Sequence, residues 1–168
     1  TLVTAGAALD PTMAFWYARL SPKYPTIEVR VGDVCPTVAD TVLVAALVRG
    51  LVATAVAEAR AGIPAHRVRD CLLSAAHWKA AHDGLEGSLF DLRTGQSRPA
   101  WDLVCETVDV IRPALRRHGD VDLVDSLLSD LRRSGTGARR QRAQLRSAGD
   151  LPRMLDDVAD QTLRPWPG

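Results

Sequence analysis

Residues Tyr24–Val34 read YPTIEVRVGDV, and the alternation inside this stretch decides the fold class. Ile27, Val29 and Val31 fall on one side and Glu28 and Arg30 on the other. Successive side chains of a strand point to opposite faces, so a strand here places Glu28 and Arg30 side by side. Such a pair is by default a solvated strand face, because charged residues are mostly exposed. Three features weigh towards a cleft instead. The opposite face is apolar and β-branched, which predicts that the strand lies on a core. Arg19, from a neighbouring strand, is expected to join the same face. Two arginines beside one carboxylate leave a net positive surface of the kind a phosphate requires. A carboxylate and arginines on a rigid sheet can also hold a divalent metal and clamp a phosphoryl group together.

Working outward, residues 12–20 (TMAFWYARL) carry the aromatic residues of a strand, with Phe15, Tyr17 and Arg19 on one face. Ser21–Pro25 (SPKYP) is a turn, because its prolines fix the backbone and remove donors. A second strand over Thr26–Val34 completes an antiparallel hairpin and sets Arg19 near Glu28. After Cys35-Pro36 the pattern is helical. Thr37 is a candidate N-cap with Asp40 three residues on. The helix expected over Val38–Ala61 is apolar around most of its circumference, which predicts burial against a sheet. Gly62 stands where a left-handed terminating residue is expected, and Pro64 opens a second helix running from Ala65 to His82. DGLEGSLFDLRTGQSRPA reads as a connector with a small hairpin around Leu89. Helices over Ala100–His118 and Asp122–Ser134 and a helical C-terminal stretch follow, and RPWPG reads as a frayed tail.

Composition bounds the function. The 168 residues are 46% hydrophobic and 24% charged, values of an ordinary globular protein. A net charge of +1 gives no general attraction to nucleic acid or anionic membrane, so neither is an expected partner. The longest apolar run, Val42–Val48, is well below the roughly 20 residues of a spanning helix. No signal-peptide pattern opens the sequence. Cys35, Cys71 and Cys105 are odd in number and without a CxxC pair, which fits a reducing cytoplasm better than a disulfide framework. The start at Thr1, without methionine, reads as a fragment, a processed chain or a trimmed one.

Several motifs together resemble a family. ARLSPKYPTIEVRVGDV resembles the ligand-bearing strands of the bacterial glutamate–cysteine ligase type 2 family, or carboxylate–amine ligases. Its EVR core is similar to a strand of glutamine synthetase, whose fold that family shares. HWKAAHDGLEG (His77–Gly87), DLRTGQSRPAWDLV (Asp91–Val104), RPALRRHGD (Arg112–Asp120) and GTGARRQR (Gly135–Arg142) follow in the family's order and spacing. The resemblance implies an α/β chain, predominantly helical. A strand hairpin of a larger antiparallel glutamine-synthetase-like sheet would be followed by a helical C-terminal region. Residues 1–168 would be one domain, the C-terminal portion of the ligase. The implied activity is ATP- and Mg²⁺-dependent: the γ-carboxylate of glutamate becomes an acyl phosphate, and an amine such as cysteine attacks it. Glu28 matches a metal-binding glutamate between magnesium and the ATP phosphates. Arg30 matches an arginine that stabilises the transferred phosphoryl group, and Arg19 a second phosphate-facing arginine.

There are departures. Family members commonly carry WRAAR where this chain has Trp78, Lys79, Ala80, Ala81 and His82, and lysine lacks the bidentate fork of arginine. The family's N-terminal half, with its further acidic metal ligands, has no counterpart here. The expectation is therefore a chain inactive alone, working as a homo-oligomer or with a complementing N-terminal half. The alternative is a non-catalytic truncated or split module acting in dimerisation or regulation. Trp78 and Trp101 read as packing residues, and the four histidines lack ligand spacing. GTGA at Gly135–Ala138 reads as a turn that starts a helix, and its N–H groups leave a phosphate role open. Arginines 139, 140, 142 and 146 spread around that helix, which speaks against nucleic-acid binding.

Overall fold

A computed structural model describes residues 3–6, 9, 17–21 and 23–165. The chain divides into two compact units, Thr1–Val34 and Cys35–Gly168.

In the first unit, β1 (Ala18–Leu20) and β2 (Ile27–Val29) pair antiparallel, with Arg19 directly opposite Glu28. Hydrogen bonds from Ser21 N–H to the Thr26 carbonyl (2.9 Å) and from Arg30 N–H to the Tyr17 carbonyl (2.8 Å) extend the pairing at both ends. The second strand is shorter than expected: Arg30–Val34 carries no ladder. The part of the first strand read over residues 12–16 lies outside the described residues. The expected core beneath the apolar face is corrected. Ala18, Leu20, Ile27 and Val29 are exposed, while Arg19 and Glu28 are half-buried. A two-stranded ribbon has no second layer to bury its apolar face, whereas long paired side chains cover one another along their stems.

The second unit is predominantly helical. Its α1 (Val38–Arg60) starts where the Thr37 side chain accepts the Asp40 N–H at 3.1 Å and donates to the Asp40 carboxylate at 2.7 Å. It ends in a Schellman arrangement, with Ile63 N–H on the Glu58 carbonyl (3.0 Å) and Gly62 N–H on the Ala59 carbonyl (3.1 Å). Next come α2 (Asp70–Asp83), a 3₁₀ turn (Gly84–Glu86), and the antiparallel hairpin of β3 (Ser88–Asp91) with β4 (Gln96–Pro99). Four helices complete it: α3 (Ala100–His118), α4 (Val121–Ser134), α5 (Gly137–Ala148) and α6 (Leu151–Leu163). Helix α2 begins later than expected because residues 65–69 offer no side-chain cap, while Asp70 complements the helix dipole in the first turn.

The core lies among helices: Leu43, Ala46 and Gly50 of α1 face Val108, Ile111 and Leu115 of α3 and Val124 and Leu127 of α4. The expectation that α1 packs on a sheet is thus corrected. Its buried stripe is narrow, and Val44, Leu51 and Val56 are exposed. By length and composition alone α1 could cross a membrane. Midway along it, however, Arg49 pairs with the buried Asp120 just before α4. Trp78 is a further correction: it is 67% exposed and stacks on His82, centroids 5.0 Å apart. It lies on α2, which buries no residue completely. The sheets among the described residues are two separate hairpins.

Candidate functional site

The ribbon of the first unit brings the three residues read from the sequence into one cluster. The cross-strand register places Arg19 opposite Glu28, and the period of two places Arg30 on the same face. Arg19 Nε donates to Glu28 Oε2 at 2.7 Å, and its Nη2 lies 2.7 Å from the same oxygen. Arg30 Nε donates to the other oxygen, Oε1. Hydrogen bonds from Arg30 and then Arg19 hold the Glu28 carboxyl below its ordinary range, so it is anionic at neutral pH. It is therefore a ligand or an anchor, not a proton donor. The two guanidiniums exceed the one carboxylate by a single positive charge.

Asp33 Oδ1 accepts the Val34 N–H at 2.8 Å. Among the described residues no group of three or more His, Cys, Asp or Glu side chains is placed to hold a metal. The donor set suits a phosphoryl anion and offers a metal a single carboxylate. Glu28 Oε1 keeps a lone pair beyond its Arg30 bond, so that carboxylate can coordinate without losing either arginine.

The motifs of the second unit include ionic contacts that sequence reasoning missed. Asp91, 4% exposed, accepts the Arg93 N–H at 2.9 Å and lies 3.3 Å from Arg98 Nη1. Arg98 and Arg93 both reach Glu106 on α3. Asp91 is pulled down to about 2, first by the Arg93 N–H and also by the Thr94 hydroxyl and Arg98, against the opposing effect of burial. The Asp-x-Arg turn is a signal that was there to be read, since Asp side chains cap the backbone two residues on. The partnership of Arg98 with Glu106 had no signal, because it spans a strand end and a helix. Arg140 of the GTGARR run pairs with Asp40 in the first turn of α1 and donates to the Gly135 carbonyl at 2.9 Å. This part of the motif serves to hold α5 against α1.

Fold and site together define a helical chain with an arginine–carboxylate ribbon suited to a phosphoryl anion. The family model of glutamate–cysteine ligase family 2 matches residues 3–157, and the chain belongs to that family. It is 59% identical over 167 residues to a Salinispora arenicola protein named "Putative glutamate--cysteine ligase 2", covering 99% of this chain and 44% of that relative. A Saccharopolyspora erythraea protein named "Putative glutamate--cysteine ligase 2-1" is 46% identical over 162 residues, 96% of this chain and 43% of the relative. A Mycolicibacterium smegmatis protein named "Putative glutamate--cysteine ligase 2-3" is 42% identical over 163 residues. The chain spans less than half the length of the curated relatives it matches.

Proposed function

We propose that this chain supplies the phosphoryl-binding part of an ATP- and Mg²⁺-dependent carboxylate–amine ligase acting on glutamate and an amine such as cysteine. The observation that carries the reading is the Arg19–Glu28–Arg30 cluster on one ribbon face, in a chain of this family. In the proposed mechanism Arg19 and Arg30 hold and neutralise the transferred phosphoryl oxygens, a reaction that depends mostly on positioning and charge. Glu28 keeps both guanidiniums in place and would be the residue of this cluster that helps hold magnesium. The bound metal and nucleotide would supply the activating phosphate. With one carboxylate in the cluster, the remaining metal ligands must come from elsewhere. That supports a need for the family's N-terminal half or a second copy, since among the described residues the ribbon pairs with no third strand and its edges could take further strands of a larger sheet. Residues 1–168 would then act as the C-terminal portion of one ligase domain. A cytoplasmic setting agrees with three free thiols at Cys35, Cys71 and Cys105.

The second reading, a non-catalytic dimerisation or regulatory module, is favoured by the exposed apolar face of the ribbon. One experiment separates the two. The chain is incubated with ATP, magnesium, glutamate and cysteine, alone and with the N-terminal half of the Salinispora arenicola relative, while ADP and γ-glutamyl product are measured. Background turnover alone and turnover in the mixture are expected. Glu28→Gln should weaken magnesium-ATP binding, and Arg30→Lys should lower turnover about tenfold or more through loss of the bidentate fork. Full turnover by the isolated chain would overturn the shared-site reading. Near-normal turnover of both variants would overturn the residue assignment.

A further inference from the structure

A cavity of about 410 Å³ lies in the second unit where the end of α4 meets the start of α5. Its wall includes Trp101, Arg132, Gly135, Thr136, Arg139 and Glu86. Arg132 lies over the Trp101 ring, 5.3 Å from its centroid, and has no carboxylate partner among the described residues. Arg139 likewise has no carboxylate partner among the described residues, unlike its neighbours Arg133, Arg140 and Arg142. Its side chain is exposed, but along its length it is held against the backbone. It folds back over Gly135, so closely that a Cβ there would stand 2.4 Å from Arg139 Cδ. Gly135 also has φ +84°, so glycine is needed both for the backbone turn and for the passage of this side chain.

The electrostatics favour an anion of high charge. No acidic residue lies in the first turn of α5. The single carboxylate on the wall is Glu86, 3.5 Å from Thr136 Oγ1 and 4.0 Å from Arg142 Nη2. Arg132, Arg139 and Arg142 set against Glu86 leave a surplus of two positive charges, which matches a phosphate dianion better than a carboxylate. The two guanidiniums offer more donors than a carboxylate uses, and a tetrahedral oxyanion can accept from both of them.

We infer that this cavity is a binding site for a phosphate-class oxyanion, held by Arg139 and Arg132 and restrained by Glu86. It uses none of Arg19, Glu28 and Arg30, and so does not depend on the function proposed above. The anion is either free phosphate or the phosphoryl end of a nucleotide.

The test is calorimetric titration of the whole chain with orthophosphate, and separately with ADP, at physiological ionic strength. Saturable one-to-one phosphate binding is expected. Arg139→Gln should weaken it about tenfold or more by removing a charge-assisted donor, while Glu86→Gln should tighten it by removing the opposing charge. Arg146→Gln, on the same helix but outside the cavity wall, should change neither, and circular dichroism checks that each variant is folded. ADP binding tighter than phosphate, and lost in Arg139→Gln, assigns the nucleotide; equal or tighter phosphate binding assigns the free anion. No saturable phosphate binding, or equal affinity in the parent and Arg139→Gln, overturns the site. ADP binding that survives Arg139→Gln but is lost in Arg30→Gln reports the ribbon cluster and likewise counts against the cavity.

Discussion

Replacing Gly50 by alanine should destabilise the second unit, although alanine is the better helix former, and the effect should change sign when one methyl group is removed opposite it. Gly50 is buried on α1 at the contact with α3. A Cβ built there would lie 3.0 Å from Ile111 Cδ1 and 3.1 Å from Leu115 Cδ2. Carbon atoms prefer separations of about 3.5–4.0 Å, and both neighbours are fully buried with little room to retreat. Alanine in place of a helix-interior glycine gains about 1 kcal/mol. Overpacking a filled core costs about 1–3 kcal/mol. The expected net loss is about 1 kcal/mol.

Ile111→Val removes Cδ1, the closest atom, and by itself should cost about 0.5–1.5 kcal/mol. In that background Leu115 can turn into the vacated space, so Gly50→Ala should become neutral or stabilising. The coupling between the two positions should be about 1–2 kcal/mol. Urea unfolding followed by circular dichroism on the parent, both single variants and the double variant measures it, provided the slopes agree. If Gly50→Ala shifts stability equally in both backgrounds, the close approach of α1 and α3 does not control this interface.

The Asp91 network should show in the acid limb of stability. Its carboxyl lies at about 2 in the folded chain against an ordinary 3.8. This lowered value contributes stability above pH 4 that is lost as pH falls from about 4 to about 2. Asp91→Asn should flatten that part of a stability–pH curve, read from thermal midpoints, and an unchanged acid limb would show that the network is not coupled to folding. Gly135→Ala should cost about 1–3 kcal/mol because it forces a Cβ onto a backbone at φ 84° and ψ 169°, a region nearly restricted to glycine. A chemical denaturation midpoint equal to that of the parent would contradict the turn geometry.

Much of this protein was legible locally. Alternation in TIEVR fixed which side chains share a face, because the strand period is two whatever surrounds it. Thr37 and Asp40 marked the start of α1, because capping is satisfied within one turn. The cross-strand meeting of Arg19 and Glu28 was also readable, since a short hairpin leaves few registers. Tertiary structure decided what the faces touch. An apolar helix carries no record of its partner, and α1 packs on α3 and α4, where Gly50 admits the side chains of Ile111 and Leu115. The ribbon's apolar side is exposed because burial depends on a second layer, which a strand pattern cannot supply. The pairing of Arg140 with Asp40 and the gathering of Arg132, Arg139 and Trp101 around one cavity join residues distant in the chain. Charge and spacing along a sequence cannot register such contacts, because they exist only once the helices have packed.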